Sequence, residues 1–227
     1  MNIRKRSFNI SFGSKKHIEK KQKKEEVSDN INDNDDVSLN LNHKDTNKKI
    51  ERENNHIYFY SEVDRESIYE LGILLKEAEE ESIFTSYKMN MDEIPIYLHI
   101  SSYGGLVRDA FNAIDFIQSC KVPVYTIIEG ATASAGTLIS VVGKKRYMRP
   151  NAFMLIHQLS SSFWGKMNEI EDEMKNLKDL MVKIKKVYKD HTDIPKKELN
   201  ELLNHDLWFD SNKCLSYSLV DELWTKL

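Results

Sequence analysis

An α/β fold is predicted for the chain from about Asn55 onward, on three observations. Short runs rich in β-branched and aromatic residues alternate with segments whose apolar residues recur every three or four positions. Glycines stand where strand-like runs give way to helical ones, at Gly104-Gly105 and at Gly130. The apolar bulk, with all three Trp, lies in this part of the chain. Such alternation implies βαβ units, whose crossovers are right-handed because a twisted strand feeding a right-handed helix packs back on its sheet only that way.

The elements follow in order. His56-Ile57-Tyr58-Phe59-Tyr60 fits a pleated, buried surface and predicts a strand. Ile68, Leu71, Leu74, Leu75 and Ala78 then recur at helical spacing behind Asp64, a suitable N-terminal carboxylate. The acidic and then polar segment 77–91 reads as a surface excursion. Ile94–Ile100 is a second strand, with Pro95 near its start, where a missing N–H does least harm. Val107, Ala110, Phe111, Ile114 and Ile117 mark another helix, and Val122–Ile128 a third strand. A small-residue helix over 133–142 follows, then strands at Tyr147-Met148 and Phe153–His157 around the turn Arg149-Pro150-Asn151. Met167, Ile170, Met174, Leu177, Met181 and Ile184 predict a long amphipathic helix. A short helix after Pro195 carries Leu199, Leu202 and Leu203, and Leu207-Trp208-Phe209 and Val220–Leu223 close the domain.

Composition bounds the rest. Residues 1–50 contain two aromatics, Phe8 and Phe12, among many Lys, Asn, Asp and Glu. So little apolar surface cannot offset the roughly 1–2 kcal/mol of backbone entropy lost per ordered residue. A disordered, charged extension is therefore expected over residues 1–54, ahead of one domain at 55–227. The net charge of −3 gives no general reason to expect nucleic acid, and the basic run Lys15 to Lys24 is followed at once by acidic residues. Cys120 and Cys214 form no CxxC or Cys/His pattern, so neither metal nor cofactor is expected, and a disulfide is disfavoured. No apolar run reaches membrane-spanning length, and no apolar stretch of the signal-peptide kind follows Arg4-Lys5-Arg6. Cytoplasm is the default compartment; an organellar or virus- or phage-encoded origin is compatible with the same residues.

Four places in the sequence suggest chemistry. Gly130-Ala-Thr-Ala-Ser134-Ala-Gly136 places a Ser at a strand-to-helix turn, where Oγ is exposed and free backbone N–H groups face a reacting carbonyl. It is not a GxSxG elbow, since Thr132 replaces the first Gly. Alone, Ser134 reads as readily as a helix cap or packing residue. His157, ending an apolar run, reads alone as a hydrogen-bonded packing residue, and Asp206 as a cap or solvent-facing group. Gly104-Gly105 reads either as a tight turn or as an oxyanion donor beside an edge along which an extended peptide could pair.

Taken together these segments resemble the Clp protease proteolytic subunit. Tyr97-Leu-His-Ile-Ser-Ser-Tyr-Gly104-Gly105 looks like the family's LYINSPGG, and Gly130–Gly136 like its GxAASMG. Arg146–Asn151 with Met154-Leu-Ile-His157-Gln158 resembles KRxxxPNSxxMIHQP. His191-Thr192 resembles HTG, Asp206 falls at the acidic triad position, and Tyr217-Ser-Leu-Val-Asp221 is similar to YGLVD. The resemblance implies Ser134 as nucleophile, His157 as general base and Asp206 as the group that orients the imidazole. It implies the backbone amides of Gly105 and Ala135 as the oxyanion hole, and Gly104-Gly105 as a substrate-strand edge. It also implies a crotonase-like ββα-spiral core with a projecting strand–helix handle, the latter at the Met167–Val187 helix. An endopeptidase built from homo-oligomeric heptameric rings, enclosing a chamber and fed peptides and unfolded proteins by an AAA+ unfoldase, is the expected assembly, with no membrane and no nucleic-acid partner.

The sequence departs from the family pattern at several points. Tyr103 replaces the Pro before Gly104, Leu159 the Pro after Gln158, and Ser160-Ser161-Ser162 the glycines that follow. Asn204-His205 stands where an acidic–Arg pair, part of the ring–ring contact, precedes the triad Asp. The N-terminal segment that meets the ATPase has only a faint counterpart in Arg6–Ile10. Two other readings compete: a non-catalytic structural subunit of a mixed Clp ring, and a crotonase-fold enzyme such as an acyl-CoA hydratase. Loss of a triad member would favour the first, and none is lost. The second needs no Ser–His–Asp set in this order.

Overall fold

Strand and helix alternate as β1 (Lys49–Glu53), β2 (His56–Tyr60), α1 (Arg65–Met89), β3 (Ile96–Ser102), α2 (Val107–Ser119), β4 (Val124–Ala133) and α3 (Ala135–Ser140). Then come β5 (Lys145–Met148), β6 (Phe153–Leu155), α4 (Met167–His191), α5 (Lys196–Leu202), β7 (Trp208–Phe209), α6 (Ser211–Ser216) and β8 (Glu222–Leu223). The structure is a computed structural model that describes residues 49–226. It is a mixed α/β fold with one central sheet, in the order β1-β2-β3-β4-β5-β8, flanked by helices. Strands β2, β3, β4, β5 and β8 run parallel. Among the described residues no helix is long and apolar enough to cross a membrane.

The sheet begins earlier than composition suggests. Lys49–Glu53 pair antiparallel with β2 across the turn Asn54-Asn55, so the boundary expected at 54/55 falls inside a hairpin. Asn54 takes φ 55°, a left-handed conformation that Asn tolerates better than most residues. Only Ile50 packs inward from β1, and one apolar residue in five carries no strand signal. Of the extension expected over residues 1–54, residues 1–48 lie outside the described residues.

Helix α1 also runs through the expected surface excursion, to Met89. Glu and Lys are good helix formers, and a polar segment can stay helical when one end is well nucleated. Asp64 caps that end: its carboxylate accepts from the Ser67 N–H at 2.8 Å while Ser67 Oγ accepts from the Asp64 N–H at 3.0 Å. Arg52 of β1 pairs with Glu77 and Glu81, one turn apart on α1, and Asn90 closes the helix at φ 49°.

The core forms where helices meet sheet. Ile57, Phe59, Leu98 and Ile100 of the strands are fully buried against Leu71 and Leu75 of α1, Val107, Ala110 and Ala113 of α2, and Leu138 of α3. In α4, Leu180, Ile184 and Tyr188 are buried, whereas Met167, Ile170 and Met174 at the other end are exposed. Arg146 anchors the C-terminal segment, bonding Asp221 and the Ser218 carbonyl, the latter at 2.7 Å. Ser218 stands where the resembled motif has Gly. It takes φ 52°, with its hydroxyl on Asp193 at 2.5 Å.

Strand β4 sets up everything that follows. Its first half pairs with β5 (Tyr125–Ile128 with Lys145–Met148), and its last three residues pair with β6 (Ala131–Ala133 with Phe153–Leu155). Gly130, at φ 59°, sits between the two halves. The strand therefore runs to Ala133, longer than its apolar run predicts, and delivers residue 134 at the strand end beside β6.

Candidate active site

Ser134 lies between β4 and α3, with φ 59° and ψ −129°. That is a glycine-type conformation, and holding an L-residue in it costs roughly 1–3 kcal/mol. The turn occupies the helix-cap position, yet the side chain makes no capping hydrogen bond, so the capping reading does not account for the residue. Its Oγ is buried and bonds to none of the described residues. A buried hydroxyl without a partner costs about 1–3 kcal/mol, and such atoms collect at catalytic sites. Backbone bonds hold the turn. The Ser134 N–H donates to the Leu155 carbonyl at 2.9 Å, and the Ser134 carbonyl accepts from the Thr137 N–H at 3.0 Å. Ala135 opens the helix, so its N–H is among the first-turn donors that have no intrahelical acceptor.

His157 follows β6 two residues beyond Leu155, so the parallel pairing of β4 with β6 brings it to the same sheet end as Ser134. Strand β7 pairs antiparallel on the other side of β6, Leu155 opposite Trp208 and Met154 opposite Phe209. Extending that register by two residues sets Asp206 opposite His157. Their side chains meet there, His157 Nδ1 to Asp206 Oδ1 at 2.9 Å. A carboxylate on Nδ1 fixes the proton on that nitrogen and leaves Nε2 as the basic atom. The partners differ in exposure: the His157 side chain is 10% exposed and that of Asp206 is 72% exposed. Behind them the Gln158 N–H donates to the Leu203 carbonyl at 2.7 Å, tying this segment to the end of α5.

The glycine pair closes the site from the β3 side. Gly104 takes φ 94°, and a Cβ on it would stand 2.6 Å from Ser134 Cβ and 2.9 Å from the Ala135 nitrogen. Gly105, at φ 148°, forms a parallel bridge with Val63; a Cβ there would lie 2.2 Å from the Val63 carbonyl oxygen. The Val63 N–H bonds the Gly104 carbonyl at 2.8 Å, and the Leu106 N–H bonds the Val63 carbonyl at 2.6 Å. In a parallel ladder this pattern turns the N–H of the intervening residue, Gly105, away from Val63. Both glycines are thus required by close backbone approach and by positive φ.

The structure brings His157 and Asp206 into contact and sets Ser134, Gly104, Gly105 and Ala135 around the same strand ends. It does not join Ser134 Oγ to them by a hydrogen bond. Residue reasoning missed an aromatic rim, where Tyr103 (73% exposed) meets Trp208 edge-on at 6.3 Å. It also missed Thr137 and Tyr188, whose hydroxyls lie 2.6 Å apart beneath the Ser134 turn. Cys120 and Cys214 are both free thiols. Among the described residues no group of His, Cys, Asp and Glu has the arrangement of a metal site.

The family model of Clp protease matches residues 51–226. The chain belongs to the Clp protease family. Its similarity to individual members is moderate. It is 35% identical over 131 residues to the ATP-dependent Clp protease proteolytic subunit 2 of Treponema denticola, covering 57% of this chain and 66% of that protein. It is 34% identical over 134 residues to the subunit 2 of Treponema pallidum, covering 58% of this chain and 67% of the relative. It is 33% identical over 132 residues to the ATP-dependent Clp protease proteolytic subunit of Streptococcus mutans, covering 56% and 67%. The chain thus spans about two thirds of the length of these relatives.

Proposed function

We propose that the chain is a serine endopeptidase of the Clp type, with Ser134 as nucleophile, His157 as general base and Asp206 as its orienting carboxylate. One observation carries the reading: Ser134 sits in a strained turn with an unbonded buried Oγ, at the strand ends where the His157–Asp206 hydrogen bond forms. Family membership supports proteolysis as the chemistry.

The mechanism is acyl transfer. His157 Nε2 takes the proton of Ser134 Oγ as that oxygen attacks the scissile carbonyl. Negative charge develops on the former carbonyl oxygen, which the N–H groups of Gly105 and Ala135 receive. His157 then gives its proton to the leaving amine, and water releases the acyl group by the same steps in reverse. Substrate would lie extended along the Gly104-Gly105 edge, its backbone pairing as an added strand. The Ser134–His157 hydrogen bond then forms as substrate binds, as catalytic hydrogen bonds often tighten only in the complex.

The exposed apolar residues at the start of α4, Met167, Ile170 and Met174, support reading that helix as the projecting handle of a crotonase-like core. Covering them by a second ring would bury surface that the single chain leaves open. On this reading heptameric rings enclose a chamber, and an AAA+ unfoldase supplies unfolded chains. A second reading, a structural subunit that does no chemistry in a mixed ring, is favoured by the 72% exposure of Asp206.

The test is hydrolysis of a fluorogenic tripeptide by the purified full chain beside Ser134→Ala, with mass photometry of the same sample. Ser134-dependent hydrolysis from a ring-sized particle is expected. A ring-sized particle without hydrolysis would support the structural reading instead.

A further inference from the structure

The turn that carries Ser134 is tied to a helix far away in sequence. Besides the Thr137 N–H, the Ser134 carbonyl receives the Thr137 hydroxyl at 2.6 Å. That same Oγ1 lies 2.6 Å from the hydroxyl of Tyr188, on the buried face of α4. Proton counting fixes the direction of the chain. A carbonyl only accepts, so the single Thr137 proton goes to Ser134, and the Tyr188 hydroxyl must be the donor to Thr137.

We propose that Tyr188 is a positioning residue for catalysis, acting through Thr137 to aim the Ser134–Ala135 peptide group. The inference rests on the serine-peptidase reading above. Three considerations carry it. First, the Ser134 carbonyl and the Ala135 N–H belong to one planar trans peptide unit and point in opposite directions. Whatever pins the carbonyl therefore sets the aim of the Ala135 N–H, the proposed oxyanion donor. Second, the Ser134 backbone is held away from its relaxed conformation, so the bonds on its carbonyl resist a real tendency to relax. Third, Tyr188 is 1% exposed and packs in the same core cluster as Leu180 and Ile184. A Phe would fill that space without burying a hydroxyl, and Thr137 supplies the partner the hydroxyl needs. Burial also pushes the Tyr188 phenol well above its ordinary pKa, so the group stays protonated and donating.

The relay acts on the oxyanion donor and not on the substrate edge, so its loss falls on turnover and spares KM. The test compares kcat and KM of the full chain for a fluorogenic tripeptide, with thermal unfolding of each variant. Tyr188→Phe is expected to lower kcat about 3–10-fold, the worth of one buried hydrogen bond, with KM within twofold. Thr137→Val, which removes the hydroxyl that touches Ser134, is expected to lower kcat about tenfold or more, and Thr137→Ser to recover most of that loss. Ile184→Val, a packing change on the same face of α4, controls for general loosening: it should lower the unfolding temperature and leave kcat within twofold. An active wild type with Tyr188→Phe unchanged in kcat overturns the relay alone. So does a Tyr188→Phe loss that Ile184→Val reproduces at the same drop in unfolding temperature. A wild type with no Ser134-dependent hydrolysis overturns the peptidase reading and the relay with it.

Discussion

Replacing Asp206 by Asn tests the assigned triad most directly, because it keeps the shape of the side chain and removes its charge. On the proposed mechanism the carboxylate has two roles: it holds the proton on His157 Nδ1, and it stabilises the imidazolium formed when Ser134 attacks. With Nδ1 and Oδ1 2.9 Å apart, the charge centres stand about 4 Å apart. At that separation two unit charges interact by about 1 kcal/mol in water and about 4 kcal/mol near a protein surface. Asp206 is 72% exposed while His157 is almost buried, so the pair belongs between these limits. Each 1.36 kcal/mol of barrier is tenfold in rate, and Asp206→Asn should lower kcat/KM by about 5-fold to about 900-fold. Where the Asn also leaves the imidazole in the wrong tautomer, the loss at a buried triad carboxylate is about 10⁴. Exposure also predicts salt sensitivity, as the Debye length is about 8 Å at 0.15 M. The gap between wild type and Asp206→Asn should narrow at high salt. The assay is initial-rate hydrolysis of a fluorogenic tripeptide at two ionic strengths, with Ser134→Ala as the floor. Activity within twofold of wild type would refute the role of Asp206. A fall to the Ser134→Ala floor at every salt concentration would refute the argument from exposure, and would point to burial of Asp206 in an assembled particle.

Other outcomes follow from single contacts. Gly104→Ala places a Cβ 2.6 Å from Ser134 Cβ at a φ of 94°; misplacing the proposed nucleophile should cost about 10²-fold in kcat while far-ultraviolet circular dichroism stays native. Burial alone would raise the Glu129 carboxyl, but hydrogen bonds from His99, Tyr60 and Arg149 overcome it and take its pKa down to about 2. A carboxyl depressed in the folded state stabilises above its unfolded pKa. That contribution should therefore be lost as pH falls from about 4.5 towards 2, and Glu129→Gln should flatten that limb of a denaturant-derived stability profile. Burial pushes the thiols of Cys120 and Cys214 up to about 11 and about 12. A maleimide at pH 7 should then label neither in the folded chain, both in denaturant, and leave hydrolysis unaffected.

What was legible in the sequence, and what was not, divides by the range of the interactions involved. The β2, β3 and β4 runs and the α1 and α2 stripes are local patterns, and they appear where periodicity predicts them. Strand β1 was missed because Lys49, Glu51 and Glu53 leave only Ile50 to signal burial, and its pairing depends on β2 being there already. The full length of α1 was missed because its polar second half is held by Arg52 from another element. Thr137 and Tyr188 stand 51 positions apart, and nothing near either residue announces the other. Ser134, His157 and Asp206 were named by resemblance to a family pattern. Taken singly, each also reads as a cap or packing residue.

The sheet supplies the physical reason those three belong together. In β4 the ladder passes from β5 to β6 around Gly130, which brings Ala133 opposite Leu155 and so sets residue 134 beside the start of the His157 segment. In β7 the antiparallel register carries Asp206 past Leu155 to face His157. A one-residue slip of β7 would turn every side chain of that short strand to the opposite face. Phe209, 6% exposed, would leave the core and Trp208, 45% exposed, would enter it. The apolar cost of that exchange guards the His157–Asp206 contact, although neither Phe209 nor Trp208 touches it through a hydrogen bond of its own side chain. An exposed carboxylate on a loop could not hold a 2.9 Å bond by its own packing. The register of the buried residue three positions along holds it.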